Sequence, residues 1–499
     1  MFRQSSAPTE VAAQRTRNAN PPGWERPAKI ATVLFTIVAL VYSLRSGALW
    51  NAYAPLSHGG AVSAFFWFAF VWSLVCYAAL VWRLWLWKRY RPMESVSDAE
   101  LPTLSVIIPA FNEGALVRQS IRSVAENVYP SEKLQIIVID DGSRDDTWDH
   151  IQAAAEALGP GVDVLTLRHT RNMGKRRALY NGFKHARGAA IITVDSDTIV
   201  DPRALRNAVS PLVRDERIGA VAGCVEVLNP YESIFTRFLK ATFALSFKFV
   251  RAYQSEYRGV FCTPGAISVY RASVVREVAD EWLNQTFLGQ PCTIGEDRAM
   301  TNLILRGGWL TCYQQNARVW SQMPTSFTGM SKMLLRWARS NIRETIILNR
   351  FMYKPFRKEY LWTFRLNMML VLLTLIVPYL LVGNSWYLTF TSLPFAMRHA
   401  GMVAIYGATM ALIYYRCQKD HDWVWLLLYE FFWVVCLAWI MPYALVSLKK
   451  TGWLTRGEGV GGPAGATHGR DVAPVLVLRP QVGGPMLANA AAVPVAAAV

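Results

Sequence analysis

Two uninterrupted apolar runs, Ile30–Leu44 and residues 61–82, stand ahead of a stretch whose pattern is wholly different. A helix needs about 20 apolar residues to cross a bilayer. Lys29 and Arg45 flank the first run, and Arg83, Lys88, Arg89 and Arg91 follow the second. The loop between them is nearly uncharged. The positive-inside rule then puts the amino terminus and everything after residue 83 in the cytosol. The first run has the length of a signal segment, but no clear small-residue cleavage site follows it and a second run comes soon after, so a retained span is the reading. Trp82, Trp85 and Trp87 suit an interfacial belt.

The carboxyl-terminal third repeats the theme. Residues 366–383 and 400–415 read as spans, and 423–448 is another long apolar run. Three crossings that start from the cytosol would leave Lys449, Lys450 and Arg456 outside. One more crossing is therefore expected within 385–398, or a break near Pro442. Arg365, Asn367, Glu430 and Trp433 are candidate liners of a path through these segments, with helix packing an equal alternative. Residues 458–499, rich in Gly, Ala, Pro and Val, read as a disordered tail. Residues 1–28 read as a polar cytosolic tail.

From about 100 to 325, short β-rich runs alternate with charged helical segments. The runs are Leu104–Pro109, Leu134–Asp140, Val162–Leu167, Ala189–Asp195 and Ala220–Val227. This alternation predicts a Rossmann-like α/β domain with a mostly parallel sheet and helices on both faces. Residues 231–252 and 327–350 read as amphipathic helices. The second carries Arg336, Arg339 and Arg343 among Met330, Leu334 and Trp337, which suits a membrane interface or a face packed on the soluble domain.

Bulk composition narrows the function. Of 499 residues 53% are hydrophobic and only 17% charged, with a net charge of +17. Much of the cationic excess sits beside the apolar runs, so it reads as membrane orientation and phosphate binding. No zinc-finger or other nucleic-acid motif is present, and nucleic acid is not expected as a partner. The seven cysteines (76, 224, 262, 292, 312, 417, 436) are scattered and never spaced C-x-x-C, which suits a reduced cytosolic domain.

The chemistry gathers at strand ends, where open α/β sheets bind ligands. Ile191–Thr198, IITVDSDT, runs a buried strand into Asp195-Ser196-Asp197. Two carboxylates one residue apart are costly to leave unpaired, and Mg2+ or Mn2+ would relieve the repulsion while holding a diphosphate. Alone, the motif reads equally well as an acidic turn. Ile136–Thr147, IIVIDDGSRDDT, ends its strand in Asp140-Asp141 with Gly142 for the turn, so these carboxylates can accept from base N–H or ribose hydroxyls. Ser105–Gly114, SVIIPAFNEG, can receive a nucleoside. Lys175, after Asn172-Met173-Gly174, stands at a helix start that can meet a diphosphate. Asp297, in Gly295-Glu296-Asp297-Arg298, opens a helix after a turn and is placed to act as a general base. Arg336 suits phosphate oxygens, and Trp337 offers a flat face to a sugar.

Together and in this order, the segments resemble the processive, membrane-embedded members of glycosyltransferase family 2, the hyaluronan, chitin and cellulose synthases and the nodulation chitin-oligosaccharide synthases. Hyaluronan synthases look closest. GEDRAMTN (Gly295–Asn302) is similar to their G-[ED]-D-R-x-x-T-N segment, and FCTPGAISVYR (Phe261–Arg271) to their acceptor-side loop, with Pro264 before Gly265 here. GCVEVLN (Gly223–Asn229) resembles the segment lining their acceptor, and Trp453-Leu454-Thr455-Arg456 their W-G-T-R loop with Leu454 in place of Gly. One departure stands out. The family pattern Q-Q-x-R-W reads Met333-Leu334-Leu335-Arg336-Trp337, so the two Gln contacts are not carried over.

The resemblance implies a GT-A domain (100–325) inserted between two amino-terminal spans (29–90) and carboxyl-terminal spans (360–448). It adds an interface helix region (326–357) and a gating loop (449–457). Asp140, Asp141, Lys175, Asp195, Arg336, Trp453 and Arg456 would bind the nucleotide donor. Asp197, with Asp195, would hold Mg2+ or Mn2+. Asp297 would be the base, and Trp337, Cys262 and Glu226 would face the acceptor. The implied activity polymerises UDP-GlcNAc and UDP-GlcA into a growing polysaccharide that leaves through the lipid bilayer, with the enzyme in a bacterial inner membrane and its catalytic domain cytosolic. A chitin- or cellulose-like homopolymer synthase and a single-transfer enzyme acting on a lipid carrier are the alternatives.

Overall fold

The computed structural model describes residues 22–45, 60–375, 392–450 and 475–478. The amino-terminal run forms α1 (Glu25–Arg45) and the second forms α2 (Gly60–Arg89). Within them Glu25–Arg45 and Trp67–Arg89 are long and apolar enough to cross a membrane. The α/β region then follows in chain order as β1 (Leu104–Ala110), α3 (Leu116–Ala125), β2 (Leu134–Asp140), α4 (Thr147–Leu158), β3 (Asp163–His169), α5 (Lys175–His185), β4 (Ala190–Thr193), β5 (Thr198–Val200), α6 (Ala204–Arg214), β6 (Ile218–Val227), α7 (Ile234–Ala244), β7 (Ser268–Arg271), α8 (Ala272–Leu283), α9 (Glu296–Arg306), β8 (Leu310–Ser321) and α10 (Phe327–Met352). Behind it come α11 (Leu361–Leu375), α12 (Leu393–Gln418), α13 (Val424–Phe432), α14 (Ile440–Val446) and the short strand β9 (Val475–Leu478).

The sheet runs in the order β9-β3-β2-β1-β4-β7-β6-β8-β5. Strands β3, β2, β1 and β4 are parallel, β7 is antiparallel to both neighbours, and β8 returns parallel to β6. This is the α/β, GT-A-like architecture expected. Both faces are covered, as the near-continuous apolar strands require. Val106, Ile108, Ile136 and Val138 pack on one side, and Ile107, Ile137, Ile139 and Ile191 on the other. Gly182 of α5 lets the helix seat on β1, since a Cβ there would stand 2.5 Å from Ile107 Cγ2.

Two boundaries differ from the sequence reading for a physical reason. The strand predicted over Ala189–Asp195 stops at Thr193, and Thr198–Val200 becomes a separate strand antiparallel to β8. The chain turns between them, and that turn is Asp195-Ser196-Asp197. In the helix after β6, residues Leu245–Arg251 are π-helical and continue into Ala252–Glu256.

The basic helix α10 is packed on the α/β domain. Met330, Met333, Leu335, Ala338 and Ile342 join its main core, and Arg339 and Arg343 are buried. Met333, where the sequence departs from the resembled Q-Q-x-R-W pattern, is a core residue. The run 423–448 bends by 44° between residues 437 and 440. Pro442 has no N–H to offer the carbonyl of Ala438. Both ends of this bent pair touch the α/β domain. Asp422 pairs with Lys240, which follows β6, and Ser447 accepts a hydrogen bond from Arg339 Nε at 3.0 Å. Meanwhile Ser43 at the far end of α1 donates to the Met397 carbonyl at the start of α12, so these two helices run antiparallel. Expected crossings at 366–383 and 385–398 lie partly outside the described residues. So do the tail 1–28, the loop 449–457 with Trp453 and Arg456, and most of 458–499, of which Val475–Leu478 pairs antiparallel with β3.

Candidate active site

Three strand ends converge. Leaving β1, the backbone N–H groups of Glu113 and Gly114 both donate to Thr147 Oγ1 at 2.8 Å. The Asn112 N–H donates to Ser143 Oγ at 3.0 Å. These bonds lash the β1 and β2 loops together. At the end of β2, Asp140 is fully buried and its Oδ1 accepts the Ser143 N–H at 2.9 Å, while Arg168 Nε lies 3.3 Å from its other oxygen. Burial raises its pKa against these contacts. Asp141 Oδ1 meets His169 Nδ1 at 2.7 Å and accepts the Met173 N–H at 2.9 Å. On the far side of the ring, Asn181 Nδ2 lies 2.7 Å from His169 Nε2. With the amide nitrogen donating there, the ring proton sits on Nδ1 and points at Asp141.

The second convergence involves Lys175, the first residue of α5. Its Nζ lies 2.5 Å from Asp195 Oδ1 and 2.9 Å from Glu296 Oε1. Burial by itself would lower the Lys175 pKa, but the two carboxylates outweigh it and hold the ammonium charged. Glu296 is buried, which would raise its pKa, yet Lys175 and Arg336 draw it down to about 2. A Cβ on Gly265 would stand 2.8 Å from Lys175 Nζ, so the Thr263–Ala266 loop presses backbone against this ammonium.

Asp297 adjoins Glu296 at the start of α9, after Gly295 in the left-handed region (φ 70°). Ser340 fills the space beside Gly295, where a Cβ would fall 1.8 Å from its Oγ, so α9 and α10 approach closely here. Asp297 Oδ1 accepts the Arg298 N–H at 2.7 Å, and Cys262 Sγ lies 3.6 Å from Oδ2. Burial, then the like charge of Glu296, raise the Asp297 pKa. Burial, with Asp297 beside it, pushes the Cys262 thiol up to about 12, so it remains a neutral donor. Such tuning favours proton acceptance at neutral pH over that of an ordinary carboxylate.

Asp197 Oδ1 faces Ser321 Oγ at 3.2 Å and Thr198 Oγ1 at 3.3 Å. Among the described residues no three acidic, His or Cys side chains cluster as a complete metal cage. The donor set here is hard oxygen, which fits Mg2+ or Mn2+ completed by diphosphate and water. Arg336 and Trp337 lie on α10, half-buried, with Arg336 near enough to act on Glu296 and Trp337 5.8 Å from the Phe243 ring. Glu226 on β6 is held by Lys248 Nζ at 2.7 Å. Arg365 donates to the carbonyls of Met352, Tyr353 and Lys354, so it caps the end of α10.

The structure thus groups Asp195, Lys175, Asp297 and Cys262 closely and places Asp140 and Asp141 two strands over, at the end of β2 beyond β1. Two participants escaped the sequence reading. Glu296 looked like an unremarkable neighbour of Asp297, and His169 lay beyond the predicted end of β3. The only sequence signal for His169 was its position at that strand's carboxyl end, two residues past Leu167.

A profile described as glycosyltransferase like family 2 matches residues 102–340. An N-acetylglucosaminyltransferase of Azorhizobium caulinodans is 28% identical over 374 residues, spanning 73% of this chain and 90% of that protein. A hyaluronan synthase of Streptococcus pyogenes is 28% identical over 392 residues, spanning 77% and 90%. A mannosyltransferase from Pyrobaculum calidifontis, solved in complex with GDP-Man and Mn2+, superposes with a TM-score of 0.49 at 19% identity, over 73% of this chain and 98% of that one.

Proposed function

From the premise that residues 102–340 are a family 2 glycosyltransferase domain, which takes a nucleotide-sugar donor, we propose that the chain is a processive, inverting polysaccharide synthase working at a membrane. The observation that carries this reading is the single ammonium of Lys175 shared between Asp195 of the donor motif and Glu296 beside Asp297. It couples the donor end of the sheet to the base.

Asp140 and Asp141 hold the uridine, and His169 and Arg168 orient them. Lys175 and Arg336 supply positive charge to the diphosphate side. Asp197 and Asp195 would hold Mg2+ or Mn2+, whose chemistry is to neutralise the charge that develops on departing UDP. Asp297 takes the proton from an acceptor hydroxyl on the opposite face of the sugar. One displacement from that face turns an α-linked donor into a β-linked product. Trp337 and Glu226 line the acceptor side, with Cys262 donating toward Asp297. Trp453 and Arg456, outside the described residues, close over the nucleotide in this scheme.

Membrane-crossing helices give the product a way out. With α1 and α2 as a cytosol-to-cytosol pair, and α11 and α12 as another, the bent pair α13–α14 lies along the cytosolic face. Lys449 and Lys450 then stay inside, in accord with the positive-inside rule. The relatives' names favour an N-acetylglucosamine donor, and the hyaluronan-like segments favour UDP-GlcA as the second. A homopolymer from one donor is the runner-up, favoured by the apolar Met333 and Leu334.

The direct test is Asp297→Asn in detergent-purified protein. Turnover should fall by about 10²–10⁴, the usual worth of a positioned base, with UDP affinity unchanged. Unchanged turnover would remove Asp297 as the base.

A further inference from the structure

Away from the active site, a cavity of about 320 Å³ opens where α2, long and apolar enough to cross a membrane, and α12 both end. Trp87, Lys88, Tyr90 and Arg91 line it from the end of α2, Arg416 and Cys417 from the end of α12, and Lys248 and Gln315 from the α/β domain. Four of the eight lining residues are cations. Of these four, among the described residues, Lys248 forms an ion pair with a carboxylate, Glu226, and its Nζ also donates to Gln418 Oε1 at 2.9 Å, while Arg91 interacts at longer range with Glu256. The Arg91 guanidinium is fixed by the carbonyls of Lys88 and Tyr90. Lys88 and Arg416 are exposed and have no side-chain hydrogen bond or ion pair among the described residues. Hydrogen bonds tie the walls together. Trp87 Nε1 donates to the Lys248 carbonyl at 2.8 Å, and Tyr90 Oη donates to the Tyr313 carbonyl at 3.0 Å while accepting the Gln315 N–H.

Cations at the ends of α2 and α12 have an ordinary use, since they complement helix dipoles and orient spans. That use requires no enclosed volume and no third cation brought in from the soluble domain. We infer that this cavity binds the phosphate headgroup of an anionic phospholipid from the cytosolic leaflet. A basic pocket between membrane helices at that leaflet has the matching chemistry. Trp85, with Arg89 stacked on its ring at 4.7 Å, sits at the same level and suits the headgroup layer. Because Lys248 also grips Glu226 on β6, a headgroup here would brace the acceptor-side strand from beneath. The inference rests on the membrane placement of α2 and α12, not on the identity of the polymer.

The test places the full chain in nanodiscs of phosphatidylcholine with a minor fraction of phosphatidylglycerol and counts retained lipids by native mass spectrometry. The wild type should retain phosphatidylglycerol in preference to phosphatidylcholine. The preference should fall roughly fivefold for each cation removed, in Lys88→Gln and further in Arg91→Gln/Arg416→Gln. Arg122→Gln, a distant surface change, should leave it intact. Equal retention of the two lipids by the wild type, or unchanged preference in both cavity variants, overturns the proposal. Displacement of the lipid by millimolar inorganic phosphate would make this a free-phosphate site and overturn it too. Co-sedimentation of all variants with neutral vesicles scores membrane residence separately.

Discussion

Lys175 Nζ lies 2.5 Å from Asp195 Oδ1, at the turn where the fourth strand gives way to the fifth. The donor motif is therefore not a pair of bare carboxylates. One of them already shares a cation that is fixed at a helix start by Gly174 and squeezed by Gly265. Lys175→Gln leaves Asp195 and Glu296 without their common counter-charge and, in the proposed scheme, takes a cation from the diphosphate. Loss of a charged hydrogen bond is worth about 1.5–3 kcal/mol, so UDP affinity measured by calorimetry should drop by one to two orders of magnitude. Unaltered affinity would separate Lys175 from the donor.

Burial, and after it the like charge of Glu296, raises the Asp297 pKa. A base works only when ionised, so turnover should decline as pH falls through a value above the ordinary aspartate value of about 3.9. Glu296→Gln removes the like charge and should move this acidic limb to lower pH. A rate profile in which the limb stays put or moves upward would contradict the coupling.

Asp422 is held down to about 2, because Lys240 and Lys29 outweigh the effect of its burial. A depressed carboxylate contributes stability that is complete above its unfolded pKa, near 3.9, and is lost as pH falls toward 2. Asp422→Asn leaves Lys29, Lys240 and buried Arg237 short of a partner, at a cost of about 3–5 kcal/mol. Thermal melting in detergent should show that deficit at neutral pH and a shrinking gap below about pH 4. A gap independent of pH would mean that the ion cluster is not what Asp422 contributes.

Gly142 adopts φ +74°, and a Cβ there would stand 2.4 Å from the Arg171 carbonyl carbon and 2.6 Å from Asn172 N. Backbone cannot yield as a side-chain tip can. Gly142→Ala should destabilise the fold by more than about 1 kcal/mol and weaken UDP binding, since Asp141 and the Met173 N–H meet across this contact. Gly161→Ala, with open space around it, is the control.

What the sequence made legible follows from what each feature depends on. Strands β1 and β2 were readable because buried parallel strands are continuous apolar runs. The end of β2 was readable because Asp140 closes its apolar run. Strands β5 and β7 were not, because Thr198–Val200 and Ser268–Arg271 are too short to show a period and owe their existence to pairing with distant partners. The same holds for the site. Asp297 stood out by motif, whereas the Glu296–Lys175 bridge and the His169–Asp141 contact join residues far apart in the chain. The core position of Met333 likewise became visible only once α10 was seen packed on the sheet domain.

The measurement that bears most directly on the account offers UDP-GlcNAc, UDP-GlcA and UDP-Glc, singly and in pairs, to purified enzyme with Mg2+ or Mn2+, and sizes the products on a gel. The account predicts high-mass polymer with UDP-GlcNAc and UDP-GlcA together and none with either alone. Polymer from a single donor would replace hyaluronan with a homopolymer. A glycolipid carrying one sugar, with no polymer from any combination, would contradict processive synthesis itself.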